Sequence, residues 1–197
     1  MTEAEWLACD KPIFLWEHAK NVPRWTPRTL RLFVSAFWGW QSQRLKGNYR
    51  TVCERNAKAF EKWAETGKLA HRHRSGQSEH IIFFNESAQL AAAATVRGPT
   101  RQWGRGWEDA LKVMAGFLRD ILGNPLRPVA VDASWLTSTV VALAEGIYAD
   151  RAFDRLPILA DALMDAGCDH AEVLEHCRGD GPHVRGCWVV DLLLGKS

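Results

Sequence analysis

Six residues with donor atoms suited to a transition metal fall within twenty positions: Cys168, His170, His176, Cys177, His183 and Cys187. Thiolates and imidazoles are the ligands of tetrahedral zinc, so a folded chain could draw four of them around one ion. The spacing argues against an obvious site. It contains no Cys-x-x-Cys pair, and His176 and Cys177, neighbours on a predicted helix, diverge by about 100°. Buried thiols and turn-stabilising imidazoles are therefore the expectation. Zinc on Cys168, His170, Cys177, His183 and Cys187 is the alternative, and no metal or cofactor is assigned. A second arrangement, His183, Cys187 and Asp191, repeats at four-residue steps and would align an imidazole, a thiol and a carboxylate on one helix side. The apolar neighbours of Cys187 predict burial, which leaves a thiol inert. No catalytic residue is assigned.

The elements that must position these side chains are helical. The segment Gly123–Pro125 stops a helix ending in FLRDIL, and residues 127–132, with alternating Val129 and Val131, read as an extended crossing segment. Thr137 caps a helix carrying Val140, Val141, Leu143, Ala144, Ile147 and Tyr148. Asp154 is a further N-cap candidate ahead of Pro157, and Leu156, Leu159, Ala160, Leu163 and Met164 then form the cleanest amphipathic stripe in the chain. Asp169 with Glu172 has the pattern of a capping box for a short helix through Cys177. The last apolar run, Cys187 to Leu194, is expected to be a buried terminal helix, although eight such residues could equally form a strand.

Upstream, Thr2 with Glu5 makes a capping box, Pro12 opens a second short helix, and Thr26 with Pro27 opens a third, whose apolar set is Leu30, Phe33, Val34, Phe37, Trp38 and Leu45. A fourth helix over Tyr49 to Glu65 is supported by an expected Glu54 to Lys58 ion pair and closed by Gly67. The polar segment 68–79 holds the HRHR run at His71 to Arg74, too sparse in donors for a metal. His80 to Val96 reads as helix, although Ile81 to Phe84 alone could form a strand. Gly104 and Gly106 around Arg105 do not make a dinucleotide fingerprint. A helix from Trp107 to Leu122 completes the count.

Charge divides the chain. Residues 1–105 hold 17 Lys plus Arg against 9 Asp plus Glu, and residues 106–197 hold 8 against 14, giving +8 and −6 within a net +2. Arg24, Arg28, Arg31, Arg44, Lys46 and Arg50, interleaved with Trp25 and Trp40, have the composition of a surface that tracks phosphates and stacks bases. The competing expectation is that the two halves neutralise one another.

The phrases GNPLRPVAVD, WLTSTVVALAEGIY, RAFDRLPILADAL, AGCDHAEVLEHCR and GPHVRGCWVVDLLLGK, with the opening MTEAEWLAC, resemble a large paralogous family of planctomycete bacterial proteins. The resemblance covers about residues 1–10 and 117–197. Between these blocks only TLRLF, Thr29 to Phe33, is recognisable. It implies a bacterial cytoplasmic setting and carries no catalytic or binding residue with it.

Length and composition complete the expectation. With 197 residues, 47% of them hydrophobic, and ten tryptophans, the chain can fill one bulky core. Five cysteines, an odd number without a secreted scaffold's spacing, predict reduced thiols. There is no signal-peptide pattern and no apolar run of about 20 residues to span a membrane. The sequence thus predicts an all-α single domain of about eight helices, with residues 1–122 forming an N-terminal bundle and 123–197 a compact C-terminal module. The expected function is a non-enzymatic helical interaction or adaptor protein of the cytoplasm with a protein partner. Nucleic-acid binding through segment 20–74 and a zinc or Cys/His-dependent function through 168–187 are the alternatives.

Overall fold

The computed structural model describes residues 1–68 and 107–196. Among the described residues, nine α-helices and two 3-10 turns account for the regular structure, and there is no strand. The helices are α1 (Glu3–Ala8), α2 (Pro12–Ala19), α3 (Pro27–Arg44), α4 (Gly47–Thr66), α5 (Trp107–Leu122), α6 (Ser138–Asp150), α7 (Leu156–Asp165), α8 (Ala171–Arg178) and α9 (Trp188–Leu193). The all-α expectation holds. The readings of His71 to Arg74, His80 to Val96 and Gly104 to Gly106 lie outside the described residues.

Local chemistry explains most boundaries. Thr2 and Glu5 exchange backbone-to-side-chain hydrogen bonds of 2.7 and 3.3 Å, which satisfies two N–H groups at the start of α1. Thr26 and Thr29 do the same for α3, with Pro27 in the turn where no intrahelical partner is lost. The Thr137 hydroxyl accepts from Val140 N–H at 3.3 Å to open α6. Gly67 closes α4 at φ 66°, a left-handed geometry that glycine adopts without cost.

Residues 128–132 belong to no helix and run, with Asp132 in the extended region, into a 3-10 turn at Ala133–Trp135. Three expectations need correction. Asp154 does not cap α7, because the 3-10 turn Phe153–Arg155 feeds straight into that helix with Arg155 at the cap position. The Asp169 and Glu172 box does not form. His170 is the N-cap of α8, and Glu172 instead reaches back to Asn124 at 3.3 Å and Arg127 at 3.7 Å. Glu54 pairs with Arg50 at 2.8 Å, so the i,i+4 bond runs toward the N-terminus.

Two hydrophobic clusters result. The first joins α1 to α5 around Trp6, Leu15, Phe33, Phe37, Phe60, Met114 and Leu118. The second joins α6 to α9 around Val140, Ile147, Leu156, Leu159, Leu163 and Val189. Each fully buried aliphatic side chain contributes about 1.5–3 kcal/mol relative to exposure, and the stripe of α7 supplies three such leucines, Leu156, Leu159 and Leu163, to one wall. Six of the ten tryptophans, Trp6, Trp16, Trp38, Trp63, Trp135 and Trp188, are buried, so their bulk is spent on packing.

The clusters meet along a polar seam. Arg28 of α3 donates to both oxygens of the wholly buried Asp191 at 2.6 and 3.2 Å and to the Tyr148 hydroxyl at 2.8 Å. Glu61 accepts from both Arg151 and Arg185. Opposite charges from the two halves thus meet within one chain. Gly123, at φ 69°, turns the backbone from α5 into the second half, with the Trp188 ring packed against it.

Candidate metal centre

The helix α5 carries Asp120 on its last turn, facing the 176–187 region. Its side chain is only 4% exposed and is reached by three groups. His183 Nδ1 lies 2.8 Å from Oδ1, His176 Nε2 lies 3.2 Å from the same Oδ1, and Val184 N–H donates to Oδ2 at 2.9 Å. The fourth group, Cys187 Sγ, is 3.1 Å from His176 Nε2. One donor atom from each of Asp120, His176, His183 and Cys187 lies within 4.8 Å of every other.

Each residue is held by a different element. His176 stands on α8, His183 on the irregular stretch between α8 and α9, and Cys187 at the N-cap of α9, where it is fully buried. The loop reaches α5 because Gly116, one turn before Asp120, has no side chain: a Cβ there would lie 2.7 Å from Pro182 Cγ. Two further hydrogen-bonding positions of the donors are tethered. His183 Nε2 faces the Gly179 carbonyl at 3.1 Å, and the Val184 amide occupies Oδ2. Such outer partners fix which atom of a ligand faces the metal.

Burial and charge set the titration behaviour. For Asp120, burial pushes the carboxyl up, but hydrogen bonds from His176 and His183 and their positive charge outweigh it and hold the group below the ordinary carboxylate value. For His183, burial pushes the imidazole down, and the bond to Asp120 with its charge more than compensates, leaving it raised. Burial pushes the Cys187 thiol far above its ordinary value, and the neighbouring Asp120 charge adds to this.

The set overlaps the sequence candidates only in part. His183 and Cys187 are in it. Cys168 and Cys177 instead pack inside the second cluster, where burial pushes the Cys177 thiol up to about 12. His170 stands at the N-cap position of α8 without a side-chain cap bond, its ring edge-on to Trp135 at 6.4 Å and its Nδ1 buried without a partner. The divergence of His176 and Cys177 on one helix, read from sequence, is what sends one to the site and the other to the core. Asp120 was missed. Its only sequence signal was a lone acidic residue, Asp-Ile-Leu, at the apolar C-terminal end of α5. The His183, Cys187 and Asp191 alignment does not form, because Asp191 turns to Arg28.

The basic residues are dispersed. Arg24 donates to the Ile121 carbonyl at 3.4 Å and lies 3.8 Å from Asp191, and Arg28 is bound as described. Arg31 lies over Trp63, 4.1 Å from the ring centroid. Arg44 lies over Trp40 at 4.8 Å, and Arg50 pairs with Glu54. Lys46 is exposed. Trp25 packs edge-on against Trp16 at 4.3 Å, and Trp40 stacks on Phe37. Three of the six cations therefore face inward: Arg24 and Arg28 meet the acidic groups Asp191 and Glu65, and Arg31 meets the carbonyl and ring of Trp63.

All five cysteines are free. Among the described residues no helix is long and apolar enough to cross a membrane. No family model, curated protein or solved structure matches the chain.

Proposed function

We propose that this protein binds a zinc-class divalent ion between Asp120, His176, His183 and Cys187, and that the ion fastens α5 of the first cluster to the 176–187 segment of the second. The observation that carries the reading is the double approach to His176 Nε2, with the Asp120 oxygen at 3.2 Å and the Cys187 sulfur at 3.1 Å. One ring nitrogen has a proton or a lone pair, not both. If it donates to the carboxylate, the thiol proton lacks an acceptor; if it accepts from the thiol, it turns its lone pair toward the carboxylate. A cation at the centre removes the conflict, because every donor then points a lone pair at it.

The dimensions agree. Tetrahedral bonds of about 2.0–2.3 Å require donor separations of roughly 3.3–3.8 Å, and contacts of 2.8, 3.1 and 3.2 Å, with none in the set beyond 4.8 Å, need only small adjustments. A mixed sulfur, nitrogen and carboxylate set suits zinc or cobalt and disfavours calcium and magnesium, which take oxygen ligands. The same geometry opposes a thiol hydrolase. In a Cys-His-Asp relay the thiol and the carboxylate occupy opposite ring nitrogens, whereas here both face Nε2.

A protein partner and a bacterial cytoplasmic setting remain compatible with this role. The nucleic-acid reading has less support, since Arg24, Arg28 and Arg31 are engaged within the chain. The test is elemental analysis of protein purified without chelator, with melting followed in zinc and in EDTA. About one equivalent of metal and a stability gain of about 4 kcal/mol at a thousandfold excess over Kd are expected. Metal-free protein whose melting ignores zinc would refute the proposal.

A further inference from the structure

The four donors are not enclosed alike. Cys187 is wholly buried and closes the set from the core side. Asp120, His176 and His183 line a separate cavity of about 270 Å³, and Cys187 does not. This cavity is walled on one side by Arg119 and on another by the glycine-rich turn, where Gly181 has nothing within 4 Å of the position a Cβ would take. An ion bound by the set would therefore present a face to a chamber larger than a water molecule requires.

Charge decides what that chamber would hold. A divalent ion with one thiolate, one carboxylate and two neutral imidazoles has no net charge. Arg119 adds a cation. Its Nη1 donates to two neutral backbone carbonyls, Trp6 at 3.3 Å and Cys9 at 2.7 Å, and no carboxylate lies within ion-pair distance of it among the described residues. Asp10 contributes a more distant negative charge that moderates this excess without pairing with it. A positive, partly desolvated wall beside a metal that can expand from four to five ligands fits a small anion, a carboxylate or an ion of similar size.

Resting on the metal-binding reading above, we infer that the centre is an anion-accepting site: a small carboxylate or comparable monoanion enters past Gly181, meets Arg119, and takes a coordination position on the side opposite Cys187. The chain holds the anion at two points, metal and guanidinium, and the thiolate stays shielded from it.

Cobalt tests both levels separately. Protein loaded with Co(II) should show thiolate-to-cobalt charge transfer in the near ultraviolet and ligand-field bands in the visible. Titration with acetate or azide should shift the visible bands to a saturating end point. Arg119→Gln should weaken the anion by roughly tenfold, the loss expected for one charge-assisted contact, and Arg119→Lys should restore part of it. Gly181→Phe, which adds bulk on the turn bordering the cavity and replaces neither a metal donor nor Arg119, should load cobalt and weaken the anion response. Absence of the thiolate band would overturn the metal reading and this inference with it. A normal thiolate band whose visible spectrum ignores both anions would overturn this inference alone, as would an anion response that survives intact in both Gly181→Phe and Arg119→Gln.

Discussion

Replacing Gly116 with alanine should separate the metal centre from the fold around it. The added Cβ would lie 2.7 Å from Pro182 Cγ and 3.3 Å from Cδ. Carbon atoms prefer about 3.5–4.0 Å, so the rigid proline ring must retreat by about 1 Å. His183 is the next residue and moves with it, away from an Oδ1 atom now 2.8 Å distant. Two opposing effects act on stability. Overpacking costs about 1–3 kcal/mol, while alanine in a helix interior gains about 0.5–1 kcal/mol over glycine. The metal-free variant should therefore lose only about 0–2.5 kcal/mol. Metal binding has no such compensation, and a displaced ligand should lower affinity by about 10–100-fold, the usual effect of disturbing the surroundings of a site. Zinc competition against a chromophoric chelator gives the affinity, and urea unfolding in EDTA gives the stability. Zinc affinity equal to wild type, with the variant folded, would show that the approach of Pro182 to α5 does not set the site's geometry.

Two further outcomes follow from the charges. Arg28→Leu leaves Asp191 buried with only Arg24, 3.8 Å away, and should cost about 3–5 kcal/mol in urea unfolding; the double variant Arg28→Leu with Asp191→Leu should recover much of it, and equal losses in both would refute the pairing argument. Stability should also depend on pH with opposite sign in the two metal states. In EDTA, the raised His183 pKa contributes stability that is present below its unfolded value of about 6.5 and lost as pH rises through the folded value, while the lowered Asp120 pKa contributes above about 3.9 and is lost as pH falls. With zinc the gain should instead grow from pH 5.5 to 8, because the ion displaces the protons of His183 and Cys187. Parallel melting curves over that range in zinc and EDTA would contradict the metal proposal.

The helices were legible wherever a side chain signals its own backbone. Thr2, Thr26 and Thr137 cap as their spacing predicts, and Trp107 to Leu122 has the bounds that its apolar period gives. Asp154 and Glu172 misled because a cap is a competition. Glu172 found Asn124 and Arg127, partners some 45 residues away in sequence that no local pattern reveals. The site was half legible for the same reason. His183 and Cys187 stood out by type, but Asp120 became meaningful only when α5 was laid beside the 176–187 segment, and Cys168, between α7 and α8, and Cys177, on α8, ceased to count once both were packed in the core. The charge asymmetry was legible in outline. Which residues close it, Arg24 and Arg28 on Asp191, was not, nor that Glu61 with Arg151 and Arg185 would pair in the opposite sense.

Asp120 and His183 are 63 residues apart, and every other element of the second cluster before α9 lies between them. Closing so long a stretch of flexible chain is entropically unfavourable until its interior has ordered. An ion captured by Asp120, His176, His183 and Cys187 would thus arrive after α6, α7 and α8 have packed. On the metal proposal, acquisition would become a report on completed folding, and a chain arrested earlier, with α5 formed and the second cluster open, would offer an ion little more than a single carboxylate.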